Sequence, residues 1–377
     1  MNNTFKLKLS ALLLSTLPAL AFATTYPLTV TDMDGQQVTL DKEPQRVILQ
    51  DGRDILNLAL LDRENPFKRV VTWNNLLKKQ DSGSWNLLQQ RWPESASILD
   101  MGFSDQGQVN LETVISKHPD LMIAQLRAKP ALQQTGVLKQ LADLKVPVLF
   151  IDDELHAVQN TANSVTLLGK VLNQESHAAE YTTFYNQKLT AIQNAVKNVS
   201  PKPRVFIEPI AGISGGGDSC CFTHSHNGWG GLAEAVGAVN IGSELLPGAT
   251  GVIPVEKVIS ENPDYYVMSG SKRGGKGSTV IPLGYNTTTD EIKATFDSLR
   301  NRTGVKDIPA VKAGKVAAVY HHFYNHPYNI IGMEILAKDF YPQQFKDLNP
   351  EADYRTIISQ FTTIPAAPIN LQYHPAK

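Results

Sequence analysis

The chain has 377 residues, of which 42% are hydrophobic and 19% charged, with 35 basic against 36 acidic side chains. A chain of this length exceeds the size at which a single hydrophobic core usually stops growing, so at least two lobes are expected. The balanced charge and the lack of a long basic run argue against a nucleic-acid partner.

The first 23 residues have the pattern of a cleavable secretory signal. Lys6 and Lys8 give a positive start, residues 9–21 are largely apolar, and residues 21–23 form an A-x-A cleavage site. The apolar run is shorter than the about 20 residues that a membrane-spanning helix needs. We therefore expect cleavage after Ala23, no lipid anchor because no Cys stands at the cleavage point, and a periplasmic destination. The mature chain would carry 33 basic and 36 acidic residues.

The N-terminal half, residues 24–155, alternates predicted strands and helices. A hairpin over residues 28–40 turns at Asp34-Gly35. Then follow a strand at Val47–Leu49, a helix over 54–61, a strand at 69–71, an amphipathic helix over 84–92, a short helix, a strand at 121–124, a helix over 132–143 and a strand at 146–151. Short apolar strands separated by helices are typical of a mostly parallel sheet that is covered on both faces.

The same alternation returns in the C-terminal half, residues 199–377. The pattern predicts strands at 205–207, 265–268 and 316–319, helices over 230–236 and 328–338, and a Gly-rich loop at 212–217. Between the halves, residues 156–198 are rich in Ala, Gln, Leu and Asn, with one Gly and no internal Pro. This composition keeps the cost of helix formation low and is unlike a flexible linker. It predicts one long connecting helix that acts as a stiff strut.

Two stretches of the chain, residues 109–124 and 253–268, are copies of one unit. Both keep a Glu, then Val-Ile-Ser, then Pro-Asp before an apolar run, and the second copy begins 144 residues after the first. That separation is the size of a domain, whereas solenoid repeats span about 20–50 residues. We therefore predict an α/β protein of two similar lobes with mostly parallel sheets, joined by one long helix, with a ligand cleft between the lobes.

Ligands of parallel α/β sheets bind beyond the carboxyl ends of the strands. The loops there carry arginines, which offer a planar fork to carboxylate, catecholate or hydroxamate oxygens, and aromatic rings, which give contact area to a bulky ligand. Packing within a lobe is the alternative for each aromatic residue, and an ordinary surface position is the alternative for each arginine. The predicted ligand-binding residues are Arg53, Trp73, Arg127, Trp229, Arg273, His321, His322 and Tyr324.

The histidines and cysteines admit further interpretations. The histidines of two loops could ligate a metal ion or haem iron, although hydrogen bonding is their commoner role. These residues are His224, His226, His321, His322 and His326. Cys220 and Cys221 are the only cysteines, and in an oxidising compartment they could form a vicinal disulfide, which we favour. They could also stay reduced or ligate metal with the neighbouring histidines, although the spacing matches no zinc pattern.

Several segments occur in an order that resembles one protein family. The opening hairpin is followed by Pro44-x-Arg46-Val47, the first lobe contains Leu-Glu-x-x-x-x-x-x-Pro-Asp, Trp229 precedes Gly-Gly-Leu-Ala-Glu-Ala-Val-Gly-Ala-Val-Asn, and residues 308–316 read Ile-Pro-Ala-Val-Lys-Ala-Gly-Lys-Val. Over nearly the whole mature chain this resembles helical-backbone (class III) substrate-binding proteins of ABC importers for ferric siderophores, haem and cobalamin. The resemblance implies that Glu112 and Glu256, one on each lobe, reach an arginine pocket in the permease. The alternative is that each carboxylate only favours the dipole of its helix.

The leading hypothesis is a non-enzymatic, monomeric periplasmic receptor that captures a ferric siderophore and delivers it to an ABC transporter permease. No cofactor is expected beyond the iron within the bound chelate. Haem, cobalamin or a free metal ion are alternatives within the same importer class. A secreted hydrolase with an unrecognised site is the alternative from another class, although the chain lacks a phosphate-binding loop and a Gly-x-Ser-x-Gly elbow. A structural or adhesive secreted protein is a third.

Overall fold

The structure is a computed structural model that describes residues 24–101, 111–212, 220–273 and 279–375. The predicted signal segment and most of the Gly-rich loop at 212–217 lie outside the described residues. Within the described ranges, no helix combines the length and the apolar character needed to cross a lipid bilayer. The chain forms two lobes, each built on a sheet of mostly parallel strands.

The N-terminal lobe begins with the predicted hairpin and continues with alternating strands and helices. Its elements are β1 (Leu28–Thr31), β2 (Gln37–Leu40), β3 (Val47–Leu49), α1 (Ile55–Leu61), β4 (Val70–Trp73), α2 (Leu76–Gln80), α3 (Ser82–Arg91), β5 (Leu99–Asp100), α4 (Leu111–Ile115), β6 (Leu121–Gln125), α5 (Lys129–Gln134), α6 (Val137–Asp143) and β7 (Val148–Ile151). The single helix predicted over 132–143 is instead the pair α5 and α6. Gly136 separates them with a φ of 76°, a left-handed conformation that glycine adopts without strain.

The N-terminal sheet has the strand order β5-β4-β3-β6-β7, with every neighbouring pair parallel. Val47 and Leu49 pack into the main core, whereas Ile48 and Met122 belong to a separate cluster on the other face. Because both faces are buried, the strands appear in the sequence as continuous apolar runs.

The segment predicted as one helix over 156–198 forms two helices, α7 (Ala157–Val171) and α8 (Glu175–Val196). Asn173 ends the first helix with a φ of 56°, in the left-handed region that Asn tolerates better than most residues. The helices pack closely at Gly169, where an added Cβ would lie 2.5 Å from the Cβ of Ala178. The prediction of a single rod is therefore wrong. The helix that reaches both lobes is α8, whose 22 residues span about 33 Å at 1.5 Å per residue.

The C-terminal lobe repeats the alternation of strands and helices. Its elements are β8 (Arg204–Glu208), β9 (Phe222–His224), α9 (Gly228–Ala235), β10 (Val239–Asn240), α10 (Ile241–Leu245), β11 (Thr250–Val252), α11 (Val255–Glu261), β12 (Tyr265–Gly270), β13 (Gly284–Tyr285), α12 (Thr289–Arg300), α13 (Pro309–Lys312), β14 (Val316–Tyr320), α14 (Asn329–Phe340), α15 (Pro350–Thr356), β15 (Ile369–Asn370) and β16 (Gln372–Tyr373). Its main sheet has the order β10-β8-β12-β14-β16, in which β16 alone is antiparallel to its neighbour.

The two sheets share one plan, as the repeat predicts. In the N-terminal sheet the repeat strand β6 lies between β3 and β7, and in the C-terminal sheet the repeat strand β12 lies between β8 and β14. In each lobe the helix of the repeat, α4 or α11, precedes that strand. The equivalent carboxyl ends of the strands are therefore the places to look for a shared site.

A packed seam joins the lobes along α8. The Tyr185 hydroxyl donates to Oδ1 of Asn329 at 2.8 Å, and Nδ2 of Asn329 donates to Oγ1 of Thr161 at 2.8 Å. All three residues are buried, and they belong to α8, α14 and α7 respectively. This side of the molecule is thus held by helices rather than by extended linkers.

Candidate ligand-binding site

Charged and aromatic side chains from both lobes converge where the parallel strands end. The loop after β3 carries Arg53, and the turn after β6 carries Arg127. On the other lobe, Arg273 follows β12, and the 3-10 turn His321–Tyr324 follows β14. The site is therefore assembled from strand ends of both sheets, as expected for ligand sites of this fold class.

The N-terminal side of the site is an ion-pair network centred on Asp51. The Oδ1 atom of Asp51 accepts from Nε of Arg53 at 2.9 Å, and Oδ2 accepts from Nη2 of Arg127 at 2.6 Å. Arg127 also pairs with Glu154, with 2.9 Å between Nε and Oε2. Burial disfavours the charged form of Asp51, but Arg53 and Arg127 outweigh it and hold the pKa of that carboxyl well below its usual range.

A buried polar layer lies beneath this network. Nε2 of Gln125 donates to Oδ1 of Asp54 at 2.6 Å and to Oδ2 of Asp153 at 3.3 Å. Burial raises the pKa of Asp153 to about 6, and burial together with the charges of Asp51 and Asp153 raises the pKa of Asp54. Protonation within this layer would relieve the repulsion that three close carboxylates create.

The C-terminal side of the site is a cluster of rings around Tyr324. The ring centroid of Tyr324 lies 5.1 Å from that of His224, 4.9 Å from that of His321 and 6.2 Å from that of Trp229. With the amide of Asn325 oriented to satisfy its neighbours, its oxygen accepts from the Tyr324 hydroxyl at 3.1 Å and also from Nη1 of Arg53. Arg53 therefore contacts the opposite lobe directly.

Hydrogen bonds fix the proton positions on two of the histidines. The backbone N–H of Trp229 donates to Nδ1 of His224 at 3.1 Å, so the proton of the neutral ring is on Nε2. Burial lowers the pKa of His224 to about 4, which keeps this ring neutral. Nε2 of His322 lies 3.2 Å from the carbonyl oxygen of Gln80, and because a carbonyl only accepts, this nitrogen carries the proton. Nδ1 of His322 therefore offers a lone pair.

Positive charges of both lobes act on His321. Burial lowers the pKa of His321 most, and the neighbouring His322, Arg273, His224 and Arg53 lower it further. Burial raises the pKa of Tyr324 to about 12, and the charges of Arg53 and Arg127 oppose this rise. The structure thus brings together seven of the eight residues predicted to bind ligand. Two of them, Trp229 and His322, are almost wholly inaccessible to solvent.

Trp73 is the exception. Its ring lies in the core of the N-terminal lobe, edge-on to Phe67 at 5.5 Å and tilted against Trp85 at 5.6 Å, with 1% of its surface exposed. The prediction of a ligand contact is wrong here. Trp73 is the last residue of β4, and its ring packs into the lobe core, whereas the residues that follow it are polar.

The five histidines considered as metal ligands do not form one group. His226 is exposed and pairs with Glu234, with 3.0 Å between Nδ1 and Oε1. His326 is buried, and its Nδ1 accepts from the N–H of Tyr328 at 3.1 Å. In the described part of the chain no group of three or more His, Cys, Asp or Glu side chains is arranged to hold a metal ion. His224, His321 and His322 are the histidines that border the charged network.

Cys220 and Cys221 are joined in a vicinal disulfide at the start of the β9 segment. Both are buried, and the Tyr266 hydroxyl lies 3.5 Å from Sγ of Cys220. The pair is therefore part of the lobe core below His224, whereas His226 points to solvent.

Glu112 and Glu256 occupy equivalent places on the two lobes. Each is exposed in the first turn of the repeat helix, α4 or α11. The two carboxylates are available for contact with a partner, and each also favours its helix dipole.

The predicted site omitted the acidic partners of its own arginines. Asp51 and Glu154 each follow a strand, β3 and β7, and their position at strand ends was the available signal.

A cavity of about 420 Å³ adjoins the network through Glu154, between the start of α7 and α9. It is lined by residues of both lobes, so the network borders open space at this end.

Comparison with known proteins agrees with the fold. Residues 70–320 match a family model described as periplasmic binding protein. An uncharacterized ABC transporter substrate-binding lipoprotein of Bacillus subtilis is 26% identical over 333 residues, covering 85% of this chain and 88% of that protein. A cobalamin-binding protein of Halobacterium salinarum is 22% identical, covering 81% and 71%. The crystal structure of the TroA-like periplasmic binding protein FepB from Veillonella parvula superposes with a TM-score of 0.81 at 27% identity, covering 92% of this chain and 99% of that one.

Proposed function

Because the chain belongs to the periplasmic binding protein family of ABC importers, we propose that it captures an anionic iron chelate, a ferric siderophore, and delivers it to its permease. The family is a class of solute-binding transport proteins rather than of enzymes. The observation that carries the proposal is the meeting of guanidinium groups from both lobes around Tyr324 and His321.

The charge of the site favours an anionic ligand. Three guanidinium groups, those of Arg53, Arg127 and Arg273, are set against two carboxylates, those of Asp51 and Glu154. The histidines add no charge when neutral, and burial lowers the pKa of both His224 and His321. Of the groups in the ion-pair network and the ring cluster, the arginines thus outnumber the carboxylates, while Asp54 and Asp153 lie in the buried layer beneath. A guanidinium fork suits the paired oxygens of a catecholate or hydroxamate.

Buried polar atoms at the site support a ligand with hydrogen-bonding groups. Nε1 of Trp229 and Nδ1 of His322 are buried and have no hydrogen-bond partner among the described residues. Such atoms are uncommon in native proteins because each costs free energy. A ligand oxygen would accept from the indole, and a ligand hydroxyl or amide would donate to the imidazole.

We propose that Glu112 and Glu256 contact the permease. Their matched places on the two lobes suit a partner that meets both lobes at once, as the family resemblance implies. A role confined to the helix dipole would not require the same residue at both places. The two functions are then separated in space, with ligand capture in the cleft and transfer at the exposed helices.

Titration of the mature protein with ligands of defined charge tests the proposal. Intrinsic fluorescence would be followed with a trianionic ferric tris-catecholate, an uncharged ferric tris-hydroxamate, haemin and cobalamin. The Arg127→Gln variant should bind the catecholate at least about tenfold more weakly, because a charge-assisted contact is lost. Arg300→Gln, at the end of α12 where Arg300 pairs with Asp297 at 3.1 Å, is the matched control and should bind like the wild type. Equal affinity of both variants for every iron chelate would exclude the proposed site.

One observation favours a second candidate, haem. The lone pair on Nδ1 of His322 is buried close to His321 and Tyr324, where an imidazole or phenol could ligate a haem iron. A Soret band that appears on haemin addition and is lost in His322→Ala would support haem over the siderophore. The ferric tris-catecholate titration decides between the two.

A further inference from the structure

A second contact joins the lobes at a distance from the α8 seam. Residues 80–84, which run from the end of α2 into the first turn of α3 and which we name the latch, contact the C-terminal lobe. The N–H of Ser82 donates to the carbonyl oxygen of Lys272 at 3.0 Å, and the Ser271 hydroxyl donates to the carbonyl oxygen of Gln80 at 2.7 Å. The Ser82 hydroxyl also donates to the Lys272 oxygen, at 3.1 Å. The backbone of the latch is therefore held by groups of the opposite lobe.

The centre of the latch is a buried carboxylate bound by a buried phenol. The Tyr320 hydroxyl donates to Oδ2 of Asp81, and the hydroxyl of Ser84 lies 3.2 Å from the same phenol oxygen. Asp81 is 1% exposed and Tyr320 is 3% exposed. Burial together with the Asp81 carboxylate raises the pKa of Tyr320, which keeps the donor proton in place. A hydrogen bond to a charged group in such surroundings is stronger than one between neutral groups.

Close packing adds to these hydrogen bonds. A Cβ on Gly83 would lie 2.8 Å from the carbonyl oxygen of Tyr285, so glycine lets the latch approach the backbone of the other lobe. A Cβ on Gly284 would lie 3.0 Å from the ring of Tyr320. The fit on both sides of the interface depends on these two glycines.

The residues that contact the latch lie next to residues of the ligand site in the sequence. Ser271 is two positions before Arg273, and Tyr320 directly precedes His321. His322 belongs to both sets, because its Nε2 donates to Gln80 of the latch while its Nδ1 is left for the site. Separating the lobes at the latch would therefore move His322 and its neighbours relative to Arg53.

We propose that the latch holds the lobes closed over the cleft, and that breaking the Asp81–Tyr320 contact is the opening step through which solute enters and leaves. Opening then pivots on the α8 seam, which stays packed while the latch side separates. The latch is a positioning element for His322 and does not itself contact the ligand. This inference takes from the proposed function only that the cleft is the ligand site.

Hydrogen–deuterium exchange of the ligand-free mature protein tests the latch. In Tyr320→Phe and in Asp81→Asn, the Ser82 amide and peptides covering 320–325 should exchange about tenfold faster or more, since a hydrogen bond to a charged group is lost or weakened. Asn is also a good helix cap, so Asp81→Asn keeps the start of α3. Amides in the centre of β12 should keep their wild-type rates. Gly83→Ala, which obstructs the approach sterically, should give the same localised pattern.

Tyr341→Phe is the matched control, because it removes the 2.8 Å hydrogen bond from the buried phenol of Tyr341 to the carbonyl oxygen of Gly237 within one lobe. It should leave exchange at the latch unchanged. Wild-type exchange at Ser82 in both latch variants would overturn the proposal, as would acceleration spread evenly over the whole chain or an equal effect of Tyr341→Phe. Because no ligand is used, failure here leaves the proposed receptor function untouched, and failure of the ligand titration leaves this result standing.

Discussion

Asp51 sets how much positive charge the cleft offers to a ligand. Its carboxylate accepts from Arg53 at 2.9 Å and from Arg127 at 2.6 Å, and it is 1% exposed. Replacing it with Asn removes one negative charge but keeps the size of the side chain and one accepting oxygen. The two guanidinium groups would then be available to an anionic ligand that no longer competes with Asp51.

The effect on affinity follows from Coulomb's law. A unit charge about 7 Å from a ligand charge, at an effective dielectric constant of about 20, contributes about 2 kcal/mol, or roughly 30-fold in Kd. The fold should be weakened at the same time, because removing one partner of a buried pair costs about 3 kcal/mol. For a lobe of this size that loss lowers Tm by about 6–12 °C. Arg127 keeps its contact with Glu154 at 2.9 Å, which limits the loss.

Calorimetric titration with the trianionic and the uncharged ferric chelates separates the two effects. Asp51→Asn should bind the trianion more tightly and the uncharged complex about as well as the wild type. Asp62→Asn is the matched control, since Asp62 is also buried and pairs with Arg69 at 2.7 Å, outside the cleft. It should lower Tm without changing either affinity. An Asp51→Asn protein that is folded yet binds the trianion no better would refute the charge argument.

Three further predictions follow from the geometry. Glu112→Lys and Glu256→Lys should each abolish transport of ligand through the permease reconstituted in vesicles while leaving Kd unchanged, and a loss of affinity would contradict the docking role. Burial lowers the pKa of His224 from 6.5 to about 4. As the pH drops, the unfolded chain therefore takes up a proton at this residue before the folded chain does. The unfolding free energy should fall by about 2 kcal/mol between pH 7 and pH 5. Urea unfolding should show this part of the pH dependence disappearing in His224→Gln, and an unchanged slope would count against it. Gly169→Ala should destabilise the protein by about 1–3 kcal/mol because its Cβ would meet Ala178 at 2.5 Å, whereas Gly248→Ala, whose Cβ would meet nothing within 4 Å, should unfold within about 0.5 kcal/mol of the wild type.

The repeat was the strongest guide in the sequence to the fold. The copies at 109–124 and 253–268 become α4 with β6 and α11 with β12, in equivalent places in two sheets of the same order. Periodicity and turn residues can be read locally, so the hairpin and the short strands were also predictable. The break within 156–198 was harder, because only Asn173 marks it and an isolated Asn does not usually end a helix.

The site was predictable as a set of loops but not as a set of contacts. Parallel strands direct their carboxyl ends to one edge, which is why Arg53, Arg127 and His321 could be grouped from the sequence. Trp73 shows the limit, because the last residue of a strand can face the core or the cleft and alternation over a short strand does not decide which. The Asp81–Tyr320 contact joins residues 239 positions apart, and nothing local in either segment indicates its partner.

We propose that guanidinium groups of both lobes bind an anionic iron chelate between them. It can be tested by native mass spectrometry of the protein purified from the periplasm of its own cells, which are grown with and without iron limitation. We expect an adduct under iron limitation whose mass contains iron and an organic chelator, and we expect Arg53→Gln to lose it. An apo mass under both conditions, or an adduct without iron that Arg53→Gln retains, would contradict it.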